Sequence, residues 1–137
     1  MAIAGYSGTP LLKKLGIKPE MKVLLLNAPD NYFTLLQTDI TNQLTGGNVT
    51  PDFIHLFAAD SKAFENGMKK VLVHSKKNTA VIIWVSWYKK SAGIATDLNE
   101  NIIRNFALQN NLVDIKVCAV SELWSGLKLV VPVAKRK

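Results

Sequence analysis

Met21-Lys22-Val23-Leu24-Leu25-Leu26-Asn27-Ala28-Pro29-Asp30-Asn31-Tyr32 decides the fold. Val23 to Leu26 is apolar on both faces, and the run stops abruptly at Asn-Ala-Pro-Asp-Asn, where the chain must turn. A buried strand, expected over Lys22 to Asn27, that feeds a tight connection into a helix is the ligand-side crevice of an open α/β sheet. A nucleotide cofactor bound at such a crevice asks for glycine, because only a residue without Cβ lets backbone and ligand approach closely at positive φ. No glycine occurs between Glu20 and Gly46. The sequence therefore specifies a scaffold with a crevice and names no reaction.

Upstream, Thr9 as N-cap, Pro10 at the first helical position and Gly16 as a left-handed stop predict a helix of one to two turns. Downstream, Phe33, Leu36, Ile40 and Leu44 form an i, i+3, i+4 stripe that predicts a helix from Asp30, its N-cap, to Leu44. Val49-Thr50 reads as a strand fragment. Phe53 to Ala58 reads as a buried strand, followed by a helix capped by Asp60 or Ser61 and running to about Val73, with Phe64, Met68, Val71 and Leu72 inward. His55 shares a face of that strand with Phe53 and Phe57, which favours a hydrogen-bonded core histidine over a catalytic base.

Ala80 to Trp87 is the most continuous apolar strand, and it ends in the polar loop Tyr88 to Gly93. Asp97 with Glu100 three residues later suggests a capping box. The helix it would open carries Leu98, Ile102, Ile103, Phe106 and Ala107 inward and ends near Asn110-Asn111. Val113 to Val120 alternates, as an edge strand does. Ser121 to Gly126 is read as a turn, with Gly126 absorbing it, and Leu127 to Val133 as a strand. No helix separates those two strands, so they must form an antiparallel hairpin. Pro132 stops further ladder growth.

At 137 residues the chain fits a single α/β domain over 1–137. The densest apolar segment is far shorter than a bilayer span, so a cytoplasmic protein that does not enter the membrane is expected. One cysteine, Cys118, rules out an internal disulfide, and two histidines, His55 and His74, give no metal-ligand spacing. A buried, inert thiol is expected at Cys118. The net charge of +7 is carried mainly by scattered lysine pairs, with arginine only at Arg104 and Arg136. That distribution favours a solvated lysine surface over a nucleic-acid site.

Strand–helix units closed by an antiparallel hairpin resemble the C-terminal half of class I S-adenosylmethionine (SAM)-dependent methyltransferases. The resemblance implies a three-layer Rossmann-like open sheet, mostly parallel, shortened by reduction of the second and third strands. The runs GYSGTPL, KLGIKP, LLLNAPDNY, WVSW, VDIKVCAV and WSGLKLVVP are similar to a family of short bacterial proteins classed as a domain of unknown function, which implies no activity. Glu20 departs from that family's K-P-G turn, and Tyr88 stands where proline usually follows the tryptophan. Against the methyltransferase pattern, Asn27 to Asn31 replace the glycine loop and no acidic residue ends a second strand to hold a ribose.

Ligands of open α/β sheets sit beyond the carboxyl ends of the parallel strands. Those ends are Asn27 to Tyr32, Ala59 to Lys62 and Ser86 to Ser91. Together they offer Asn27, Asp30, Asn31, Tyr32, Ser86, Trp87, Lys89 and Lys90, a set suited to an anionic or aromatic small molecule. Tyr6 and Ser7 are expected to reach the same rim. No nucleophile–base–acid set can be assembled. The leading expectation is a noncatalytic small-ligand-binding or protein-interaction module without a cofactor. The alternatives are a SAM-dependent methyltransferase with an altered loop and a weak polyanion binder.

Overall fold

The computed structural model describes residues 10–136. The expected N-cap at Thr9 and the rim residues Tyr6 and Ser7 lie outside them. The helices are α1 (Leu11–Leu15), α2 (Tyr32–Leu36), α3 (Ser61–Lys77) and α4 (Glu100–Gln109). The strands are β1 (Val23–Leu26), β2 (Phe53–Phe57), β3 (Ile82–Tyr88), β4 (Val113–Ala119) and β5 (Trp124–Val130). They form one sheet in the order β1-β2-β3-β5-β4. β1 pairs parallel with β2 and β2 with β3, whereas β5 runs antiparallel to both β3 and β4. The sheet is therefore mixed, with two parallel and two antiparallel pairings.

Alternation along the strands divides the core into two layers. Leu24, Ile54, Leu56, Ile83, Val85, Leu127 and Leu129 face α3 and α4, meeting Phe64, Met68, Val71, Ile103 and Ala107. Val23, Phe53, Phe57, Trp84 and Trp124 face α1 and α2, meeting Leu11, Leu15, Tyr32 and Leu36. The ring of Trp84 is fully buried and its Nε1–H donates to the carbonyl of Leu15 at 2.9 Å, tying α1 to the sheet.

Several expectations are corrected. α2 stops at Leu36 rather than Leu44, because Gln37 turns left-handed at φ 59°. Asp39 then holds the backbone N–H of Thr41 at 2.8 Å, a local turn that competes with the helix. Leu36 and Ile40 still reach the core, while Leu44 is largely exposed and bridges Val23 in place of the strand fragment expected at Val49-Thr50. Asn31, not Asp30, precedes the helix, and its side chain makes no capping bond. α3 runs on to Lys77, capped by Asp60, whose Oδ1 accepts from the Ala63 N–H.

The capping box is absent. Asn99 caps α4 by accepting from the Ile102 N–H at 3.0 Å, whereas Asp97 accepts from the N–H of Ser61 at the start of α3. β5 begins at Trp124, so Trp124-Ser125-Gly126 is strand and the turn is Ser121–Leu123, held by the Ser121 hydroxyl. Gly126 is there for packing: a Cβ would stand 3.0 Å from Val120 Cγ2 and 3.1 Å from Trp84 Cε3.

Candidate functional site

Asn27, at the end of β1, takes φ 59°, the left-handed conformation that a glycine loop would supply. Asparagine tolerates this conformation better than most side chains. Asn27, Asp30 and Asn31 are exposed beyond the strand. Tyr32 is not. It is only 2% exposed, with its ring packed edge-on against Phe57 at 5.6 Å and against His55 at 5.3 Å.

The Tyr32 hydroxyl lies 2.8 Å from His55 Nδ1, and His55 Nε2 lies 2.7 Å from the Ser86 hydroxyl. Three elements, α2, β2 and β3, thus join in one hydroxyl–imidazole–hydroxyl chain beneath the crevice. Either neutral tautomer satisfies both bonds. Burial pushes the imidazole down to about 3 and raises the phenol above its ordinary range, so the chain is uncharged at neutral pH. Ser86 beside a histidine resembles a nucleophile–base pair, but both are fully buried. The expected core role of His55 is what the geometry shows. Its partners had been assigned to the rim, because a strand's face is legible in sequence and its cross-strand neighbours are not.

Trp87 is also buried, on the α3–α4 side of the sheet. Lys89 and Lys90 follow it into an open cleft of about 1030 Å³ between the end of β3, Ser125 of β5 and the segment leading into α4. The far wall of this cleft is 94–101, outside the strand ends at which the sequence places the site. Thr96 fixes that wall by donating to the Ala59 carbonyl at 2.7 Å and accepting from the Leu98 N–H. Lys90 is exposed and Lys89 half-buried at the mouth. The eight rim residues therefore separate into three groups: an exposed β1 corner, the interior Tyr32 and Ser86, and Trp87, Lys89 and Lys90, which line the cleft.

Among the described residues no group of three His, Cys, Asp or Glu side chains is placed to hold a metal ion. No described helix is long and apolar enough to cross a membrane.

No family model matches this chain, and no curated protein sequence matches it either. Among solved structures it is similar to an uncharacterized protein from Listeria monocytogenes serotype 4b, with TM-score 0.55 and 9% identity over 91% of this chain and 68% of that one. It is also similar to a protein in the NADB-Rossmann superfamily from Streptococcus agalactiae, with TM-score 0.51 and 7% identity over 92% and 69%. The fold is α/β and Rossmann-like. At these identities the likeness speaks for the architecture alone, and the chemistry has to be argued from the site. In the Rossmann-like sheet seen here, the exposed corner after β1 shares no residue with the lining of the cleft at β3.

Proposed function

We propose that this chain is a noncatalytic binding module that holds an anionic or aromatic small molecule in the cleft at the end of β3, on a shortened methyltransferase-like sheet. One observation carries this reading. The aromatic side chain nearest the β1 crevice, Tyr32, is spent on the core, whereas the cleft at β3 keeps two lysines at its mouth. Lysine heads there would meet an anion as mobile point charges, and Trp87 lines the cleft beside them.

The second reading is a SAM-dependent methyltransferase with an altered loop, and it has its own support. Asn27 reproduces the left-handed turn of a glycine loop, and β5 lies antiparallel between β3 and β4, the hairpin arrangement that the resemblance to methyltransferases implies. Against it stands the side-chain bulk of Asn27 and its neighbours where a cofactor backbone contact would fall. One titration separates the two readings. Amide chemical shifts are followed while SAM, and then a panel of aromatic carboxylates and phosphates, is added. Shifts confined to 87–101 with an anionic aromatic are the expected result. Saturable shifts at 27–32 with micromolar SAM would replace the first reading by the second.

A further inference from the structure

The sheet face that α1 and α2 cover is not covered evenly. Followed through the pairing register, one row across it runs His55, Trp84, Lys128, Lys116, and the next runs Phe57, Ser86, Gly126, Cys118. His55, Trp84, Phe57 and Ser86 are buried, whereas Lys116 is exposed and Lys128 and Cys118 are half-buried. Lys116 and Lys128 thus stand directly opposite each other on β4 and β5, a position where like charges repel.

Burial, and then Lys116, hold the Lys128 ammonium below its ordinary range. One row away, burial raises the Cys118 thiol, with the charges of Lys14, Lys116 and Lys89 acting in the opposite sense. Asp114, the only acid within β4 or β5, is paired with Leu129 on the α4 side of the sheet, where it accepts from Arg104 at 3.0 Å. Glu122 lies in the exposed part of the connecting turn. Among the described residues both ion pairs are made by Arg104, so the two strand lysines face each other without a carboxylate between them.

We propose that Lys116 and Lys128 form a phosphate-binding site on the α1 side of the β4–β5 hairpin. The site lies apart from the cleft at β3, whose lining includes neither lysine. An anion set between the two strand ammonium groups converts a repulsive cross-strand pair into two charge-assisted contacts. Lysine meets a phosphate as a point charge, without the bidentate fork that arginine would supply. The ligand is a phosphate-bearing molecule, either a compact polyphosphate or the backbone of a single strand.

Cys118 is the only cysteine in the chain and sits one row from the lysine pair, so its reactivity reads the site directly. Its reaction rate with dithiobis-nitrobenzoate, a dianion, is compared at low salt with that of a neutral pyridyl disulfide. The ratio of the two rates is expected to fall about tenfold in Lys116→Gln/Lys128→Gln, the lower end of steering by a one-sign surface. Inorganic pyrophosphate, or a mixed-sequence DNA single strand of about twelve nucleotides, is expected to protect the thiol saturably in the wild-type chain. Protection by pyrophosphate supports a compact site, and protection by the oligonucleotide alone supports backbone binding. Lys90→Gln, which alters the cleft at β3, should leave both readouts unchanged. Protection by neither probe overturns the proposal, and so does an unchanged rate ratio in the double variant. The protection arm uses the wild-type chain and does not depend on how the variant folds.

Discussion

At the scale of single residues, the molecule turns on positions where a small group is fixed by what lies against it. Ser86 contributes one hydroxyl to a sealed chain, and removing it leaves His55 Nε2 without a partner in a site that water does not reach. An orphaned buried polar atom costs about 1–3 kcal/mol. Ser86→Ala should therefore lower the unfolding free energy by that amount, read as a lower urea midpoint with an unchanged m-value. Gly67 poses a sharper question of sign. In a helix interior alanine is favoured over glycine by about 1 kcal/mol. Here, however, a Cβ would meet Leu56 at 2.4 and 2.8 Å, and Leu56 is fully buried with no room to swing. Overpacking costs about 1–3 kcal/mol, so the contact outweighs the propensity and Gly67→Ala should destabilise. The expected signature is recovery in Gly67→Ala/Leu56→Val, measured by the same titration; failure to recover would show that the clash is not the cause.

At the scale of elements, strands were more legible than helix ends. β1, β2 and the β4–β5 hairpin follow from apolar runs and from the lack of a helix between 113 and 130. The stripe through Phe33, Leu36 and Ile40 was real as a burial pattern, yet it is met by a short helix and a turn. Periodicity reports which residues go inside and not how the chain carries them there. Caps failed for a related reason. Asp97 has the spacing of a capping residue for α4 but serves α3, a contact 36 residues away in sequence that no local rule encodes. The two caps can be told apart by hydrogen exchange. Asn99→Ala should cost about 1 kcal/mol and speed exchange in the first turn of α4. Asp97→Ala should instead expose the Ser61 amide and leave α4 protected. Of the candidate site, Lys89 and Lys90 were legible because they end an obvious strand. The wall at 94–101 was not, because a loop's return toward a strand end is fixed by long-range bonds such as Thr96 to Ala59.

At the scale of the whole molecule, the buried chain of Tyr32, His55 and Ser86 sets a pH window for stability. In the folded state His55 stays neutral down to about 3, whereas an unfolded histidine binds its proton near its ordinary 6.5. Below 6.5 the unfolded chain therefore holds more protons than the folded one, and stability falls as pH falls, by about 1.4 kcal/mol per unit for one group. His74 is held down in the same direction, by burial and then by Lys77. Asp39 and Asp97, whose carboxyls are lowered by hydrogen bonds from Thr41 and Ser61, lose their contribution only below the ordinary carboxylate range, so the histidines can be read alone between pH 6.5 and 4.5. Tyr32 acts at the other end: its phenol is raised by burial, so above pH 10 the unfolded chain loses a proton that the folded one keeps, and stability falls as pH rises. Urea midpoints from pH 4.5 to 11 should trace a plateau between the two limbs. Tyr32→Phe should reduce the alkaline limb and leave the part that Cys118 contributes, since burial raises its thiol as well. His74→Gln should leave an acid limb of about 2 kcal/mol over the two units from 6.5 to 4.5, and its disappearance in that variant would show that His55 is not the group that resists charging.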